Sequence, residues 1–203
     1  MSEDVVIVDL GIGNFANVEK ALDGMVTNDA YDIEKAEKIV LPGVGNFGSI
    51  MEELQPLKGA IIDSIEEGKP FLGICLGMHL IFERSEENDG EGLGILKGEV
   101  VKFKDVPPPH IGWNQIHFNK KCRLQEGVKE DEFFYFVHSY IVDGLDEYLV
   151  SAVTDYQVSG EITTFPSIIS KRNIFGVQFH PEKSSKAGLK MLKNFKQIDR
   201  CLK

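Results

Sequence analysis

The sequence predicts an α/β fold: a mostly parallel central sheet flanked by helices, with antiparallel or mixed strands added in the C-terminal half. Three observations predict it. Up to Ser85, short apolar runs alternate with amphipathic ones, the pattern of strands and crossover helices on a parallel sheet. Beyond Ser85, strand-like segments follow one another with tight turns, which reads as antiparallel or mixed pairing. The 203 residues suit one domain, spanning 1–203, with a full core.

Asp4 to Leu10 is the first strand, apolar enough to be buried on both faces, and Gly11 to Asn14 makes the turn after it. Phe15 to Met25 has helical spacing, with Val18, Ala21 and Leu22 on one face. Tyr31 to Lys38 is polar and fits neither period. Lys38 to Leu41 is a strand leading into the glycine-rich run Pro42 to Gly48. Ser49 to Leu54 and Gly59 to Glu67 read as helices, the second with an Ile61, Ile62, Ile65 stripe. Phe71 to Ile74 is a strand, Cys75 a turn, and Leu76 to Arg84 a helix. Glu86 to Gly94 reads as a polar, glycine-rich loop, and His110 to Asn114, behind three prolines, as another loop. Gly98 to Phe103, Glu132 to Tyr140, Leu149 to Val153, Gly160 to Lys171 and Asn173 to Phe179 are strand-like. Ser184 to Leu202 closes the chain as an amphipathic helix, with Ala187, Met191, Leu192 and Phe195 inward and lysines outward.

Bulk properties narrow the function classes. A net charge of -10, from 22 basic and 32 acidic residues, argues against nucleic-acid or anionic-membrane binding. No apolar run reaches a membrane-spanning length, and the acidic start Met1-Ser2-Glu3-Asp4 does not resemble a signal peptide. Cys75, Cys122 and Cys201 are odd in number, widely spaced and without a CxxC pair, so neither a disulfide framework nor a zinc site is expected. A reducing cytoplasm fits this usage.

Cys75 carries the sharpest chemical signal. In Gly73-Ile74-Cys75-Leu76-Gly77 it stands at the apex of a strand–turn–helix, where the turn lifts the side chain out of the sheet and the partly positive helix end favours thiolate. Alone, this pattern also fits a small apolar core residue. A second motif, His180-Pro181-Glu182, offers a base and an orienting carboxylate on one segment. If the backbone there is extended, residues two apart face the same way. His138 is a rival base without a nearby carboxylate in sequence. His79, one helical turn beyond Cys75, either contacts substrate or lies on the surface. His110 and His117 lack a carboxylate at ligand spacing, so no metal site is expected. Trp113 fits either a core place or a partly exposed interface. The glycine patterns Gly11-Ile12-Gly13 and Gly43-Val44-Gly45-Asn46-Phe47-Gly48 mimic dinucleotide loops. Neither has the full strand and acid context, and what they share is backbone N–H groups free to face an anion.

These residues resemble a known family. Gly73 to Met78 and His180-Pro181-Glu182 are similar to the nucleophile elbow and base–acid pair of the class I (triad) glutamine amidotransferases. Asp9 to Asn14, Leu41 to Gly48, His110 to Asn114 and Tyr135 to Tyr140 are similar to the glutaminase subunits of imidazole glycerol phosphate synthases. The resemblance runs from the first strand to the last helix and implies a flavodoxin-like α/β fold and no cofactor. It implies that Cys75 attacks the glutamine carboxamide, that His180 moves the proton and that Glu182 orients His180. The oxyanion would rest on the Leu76 N–H and on an N–H of Gly43-Val44-Gly45, with Val44 and Gly45 as the candidate donors. Gly43, His79, Ser139 and Tyr140 would help hold glutamine. Ammonia would pass to a (β/α)8-barrel cyclase subunit in a heterodimer, docked against Gly11, Ile12, Asn14, Trp113 and Asn114.

His79 departs from the pattern, because the family usually has glutamine there; this changes donor length and geometry at the substrate's amino-acid end. Because free ammonia would be wasted, hydrolysis is expected to wait for the cyclase. A peptide flip at Gly43 and Gly45 would turn the Val44 N–H inward. Competing readings are another triad amidotransferase of the anthranilate or purine type, a cysteine peptidase on a related scaffold, and a nucleotide-binding module without chemistry.

Overall fold

The computed structural model describes residues 4–11 and 15–201. Its strands are β1 Val5–Val8, β2 Met25–Thr27, β3 Lys38–Gly43, β4 Phe71–Cys75, β5 Arg84–Ser85, β6 Gly90–Glu91, β7 Glu99–Lys102, β8 His110–Gln115, β9 His117–Phe118, β10 Phe133–His138, β11 Tyr140–Asp143, β12 Val150–Val158, β13 Glu161–Lys171 and β14 Ile174–Val177. Its helices are α1 Ala16–Leu22, α2 Ala30–Lys35, α3 Phe47–Leu54, α4 Lys58–Glu66, α5 Leu76–His79 and α6 Ser185–Lys196.

The main sheet runs β2-β1-β3-β4-β14-β13-β12-β9. Its first five strands are parallel, and β13, β12 and β9 extend it antiparallel. The fold is therefore α/β, with the expected change from parallel to antiparallel pairing. The alternation of strand side chains explains how both faces are filled. Val6, Val8, Ile39, Leu41 and Phe71 join one core cluster with α2, α3 and α4. Val5, Ile7, Val40, Leu72 and Ile74 join the other with α1, α6 and the phenylalanines Phe134, Phe136, Phe165 and Phe179. A two-stranded ribbon β10-β8 and a small sheet β11-β7-β5-β6 flank the main sheet.

Several boundaries differ from the sequence reading, each for a local reason. Helix α1 stops at Leu22 because Asp23 turns left-handed at φ 50°, and Met25–Thr27 then form the unanticipated edge strand β2. Of the ambiguous stretch Tyr31 to Lys38, the part up to Lys35 belongs to helix α2, capped by Asp29, whose carboxylate accepts from the Tyr31 N–H at 2.9 Å. Helix α3 starts at Phe47, two residues early, where Asn46 caps through the Ser49 N–H at 3.2 Å. The helix expected from Leu76 to Arg84 ends at His79. Residues Leu76 to Phe82 are buried throughout rather than on one face. The carbonyls of Leu80, Ile81 and Phe82 accept from Leu93, Ile95 and Gly94 instead of continuing a helix. His110–Gln115 is a strand, not a loop, and Glu132 to Tyr140 divides at Ser139 into β10 and β11, which pair with different sheets. Helix α6 ends at Lys196, after which the chain reaches back so that the Cys201 N–H donates to the Gly68 carbonyl at 2.8 Å.

Candidate active site

The site lies at the C-terminal ends of β3, β4 and β14, where an open parallel sheet presents loops rather than side-chain-filled strands. Cys75 ends β4 with φ 53° and ψ -111°, a strained conformation for a residue with a Cβ, costing on the order of 1–3 kcal/mol. Backbone packing holds it there. A Cβ on Gly73 would sit 2.6 Å from the Gly77 carbonyl oxygen, one on Gly43 would sit 2.9 Å from the Gly77 nitrogen, and one on Gly77 would overlap the Leu41 carbonyl oxygen. The β3–β4 register sets Gly43 beside Cys75, so the following Val44 and Gly45 are brought to the sulfur. Gly45 takes φ 110°, which a side chain would resist.

A cavity of about 300 Å³ opens at this point. Val44, Gly45, Cys75, Leu76, His79, Ser139 and Tyr140 all line it, together with Glu87 and His138. A larger cavity of about 380 Å³ lies at the other ends of β4 and β14, but no histidine lines it.

His180 arrives from β14 with its N–H donating to the Tyr135 carbonyl at 2.9 Å and its own carbonyl accepting from the Ser184 hydroxyl at 2.6 Å. His180 Nδ1 meets Glu182 Oε1 at 2.8 Å, and the two side chains are only 3% and 6% exposed. The route differs from the extended segment expected from sequence: Pro181–Lys183 is a short 3₁₀ turn, and that turn folds the carboxylate back onto the ring. With Nδ1–H donating to Glu182, the neutral ring leaves Nε2 as an acceptor; Nε2 has no hydrogen bond of good geometry. Burial alone would lower the imidazole's pKa. The Glu182 carboxylate, together with the Cys75 sulfur once it is ionised, outweighs burial and pushes the pKa up, so the ring holds a proton firmly after the sulfur has given it up. The thiol itself points at the Val137 carbonyl, 3.8 Å away.

The rival base is differently placed. His138 Nδ1 donates to the Tyr140 carbonyl at 2.9 Å, and its Nε2 accepts from His110 Nδ1 at 3.0 Å, so both ring nitrogens are committed. Burial holds His138 well below the usual histidine range. His79 is not a surface residue: it is 4% exposed, and burial pushes it down to about 4 against the hydrogen bond it donates to Gln178.

Gln178 was missed by the sequence reading. Its Oε1 lies 2.7 Å from His79 Nε2 and its Nε2 lies 3.8 Å from the Cys75 sulfur. The signal was present, since Gln178 stands two residues before His180 in a run read as strand.

Of the residues expected at an interface, Gly11 is exposed, with its N–H bonded to Asp9 Oδ1 at 2.8 Å, while Ile12 and Asn14 lie outside the described residues. Asn114 is tied to the Asp155 carbonyl at 2.8 Å. Trp113 is 48% exposed and stands edge-on to Tyr135, with ring centroids 5.9 Å apart. The β8–β10 register puts Ile111, Trp113, Phe133, Tyr135 and Val137 on one face of the ribbon. Ile111 and Phe133 are exposed there, and Ile111 and Val137 also line the cavity, so an apolar surface runs up to the mouth of the site.

Residues 13–198 match the family described as glutamine amidotransferase class-I. The chain is 60% identical to imidazole glycerol phosphate synthase subunit HisH of Pyrococcus furiosus, over 96% of this chain and 98% of that one. It is 55% identical to the subunit of the same name from Thermococcus kodakarensis, over 96% of this chain and 100% of that one. Among solved structures, one described as a glutamine amidotransferase superposes with a TM-score of 0.71 at 17% identity, covering 96% of this chain and all of that chain.

Proposed function

The chain belongs to the class I glutamine amidotransferases, and from that premise we propose that it is the glutaminase subunit of imidazole glycerol phosphate synthase, hydrolysing glutamine to supply ammonia for histidine biosynthesis. The observation that carries the chemistry is a buried imidazole between a strained cysteine and a carboxylate at 2.8 Å, with the cysteine lining a cavity.

His180 Nε2 accepts the Cys75 proton as the sulfur attacks the carboxamide carbon of glutamine. The C–N bond breaks as the imidazolium returns that proton to the departing ammonia, leaving a glutamyl thioester. His180 then deprotonates a water that attacks the thioester, and the thiol leaves as glutamate is released. Glu182 stabilises the imidazolium in each half-reaction and fixes the tautomer that keeps Nε2 free to accept. Negative charge on the tetrahedral oxygen falls to the Leu76 N–H and an N–H of the Val44–Gly45 segment, a kind of donor worth ~10²–10³ in turnover. Gly43, His79, Ser139 and Tyr140 surround the amino-acid end of the substrate.

The partner in this reading is the cyclase barrel, forming a heterodimer in the cytoplasm with this single-domain subunit. The apolar ribbon face around Trp113 supports docking there, since a partner seated on it would also cover the cavity mouth lined by Ile111 and Val137. Lys183, 5.9 Å above the Tyr135 ring, supplies the charge beside that face. The test is covalent labelling by a glutamine-analogue electrophile: the wild-type chain should be modified at Cys75 and Cys75→Ala should not. Equal labelling of both would overturn the assignment of the nucleophile.

A further inference from the structure

Gln178 is fully buried beneath the nucleophile, and its main-chain N–H is anchored to the Ser167 carbonyl at 3.0 Å. Its carboxamide bridges two functional side chains: Oε1 is 2.7 Å from His79 Nε2, and Nε2 is 3.8 Å from Cys75 Sγ. A carboxamide has one accepting end and one donating end, so what His79 does at one end decides what the sulfur meets at the other. When His79 Nε2 carries the proton, it donates to Oε1 and the amide N–H₂ faces sulfur. With the other tautomer the amide turns over, and its carbonyl oxygen would oppose negative charge on sulfur. The thiol hydrogen is directed elsewhere, at the Val137 carbonyl, which leaves a sulfur lone pair for the amide.

We propose that Gln178 is a catalytic residue that donates an N–H to the ionised sulfur of Cys75, and that His79 is the positioning residue that holds the amide in that orientation. This rests on the reading of Cys75 as the nucleophile. Burial keeps His79 neutral, down to about 4, so it stays a single-proton donor through the working range. The other titratable groups facing the sulfur are His180, backed by Glu182, with His138, Glu87 and Tyr140 lining the same cavity. His180 meets the sulfur as its base, whereas the Gln178 amide brings an N–H to it at 3.8 Å. The pair also gives the histidine at position 79 a task beside that of lining the cavity: it sets the direction of a hydrogen bond to the sulfur.

The experiment is iodoacetamide alkylation of the full chain at pH 6 and pH 9, read on the Cys75 peptide by mass spectrometry. Gln178→Leu should slow alkylation about tenfold at pH 6, the worth of one N–H donated to a charged acceptor, and approach the wild-type rate at pH 9. A purely structural role would change both rates together. His79→Leu should shift the pH 6 rate in the same direction with Gln178 intact, and His79→Gln, whose amide N–H can donate to Gln178 Oε1, should restore it. Gln178→Glu keeps the shape, places a carboxylate beside the sulfur and should slow the pH 6 rate at least as much as the leucine variant. Equal pH 6 to pH 9 ratios in wild type and in the Gln178 variants, or a His79→Gln variant that behaves as His79→Leu, would overturn the assignment. A wild-type Cys75 that ignores the glutamine analogue overturns instead the amidotransferase mechanism beneath it.

Discussion

Glu182→Gln separates the carboxylate's charge from its shape. Nδ1 and Oε1 are 2.8 Å apart, and the two side chains are 3% and 6% exposed, so water screens the interaction little. A hydrogen bond from a charged donor in such surroundings contributes ~1.5–3 kcal/mol, or roughly 10- to 100-fold in rate if the imidazolium exists only along the reaction path. The amide adds a second penalty. It can turn its N–H₂ toward Nδ1 and select the tautomer whose Nε2 carries a proton and cannot accept one from sulfur; the comparable exchange in a serine triad lowers turnover about 10⁴-fold. Glutamine hydrolysis, measured as glutamate release with the cyclase bound, should therefore lose ~10²–10⁴ in kcat with little change in KM. The variant should fold, because volume and one hydrogen bond are retained. A kcat within about threefold of wild type would refute the role given to Glu182.

Other outcomes follow from the same geometry. Gly77→Ala drives a methyl into the Leu41 carbonyl and should cost ~2–3 kcal/mol or prevent folding, read as a lowered urea midpoint; an unchanged midpoint would show that the β3–α5 contact is loose. His79 and His110 are each pushed down from 6.5 to about 4, burial outweighing a side-chain hydrogen bond in both. The unfolded chain binds protons at these rings below 6.5 and the folded chain does not until about 4. Their contribution is therefore fully present above 6.5 and is lost on acidification toward 4, at about 1.4 kcal/mol per histidine per pH unit. Urea midpoints should be lower at pH 5 than at pH 7, and equal midpoints would contradict the burial of neutral rings. Trp113→Ala should weaken cyclase binding on the order of 30-fold, measured by calorimetry, while leaving thermal stability nearly unchanged.

What could be read from sequence was what is local. The elbow around Cys75 is written in consecutive residues, as is the coupling of His180 to Glu182, although the latter is achieved by a 3₁₀ turn rather than an extended link. The parallel strands were legible because burial on both faces leaves apolar runs such as Val5–Val8. Strand β2 was not, because a half-buried edge strand needs no apolar signature. Helix α5 was overdrawn because an apolar run has the same composition whether it continues a helix or hands its carbonyls to a neighbouring loop. The division at Ser139 depends on which sheet each flanking segment pairs with, and no residue announces that. Gln178 reaches Cys75 across 103 positions of chain, so only the folded register reveals the contact.

The turn that carries the reactive sulfur is packed on main chain. Where Gly43, Gly73 and Gly77 meet, the atoms a methyl would strike first are the backbone nitrogen and carbonyl of Gly77 and the carbonyl of Leu41, which cannot swing aside as a side chain can. Substitution in the cavity lining, as at position 79, can therefore change what meets the substrate without displacing the wall on which the nucleophile is mounted. Selectivity can change at the lining while the anchor point stays put.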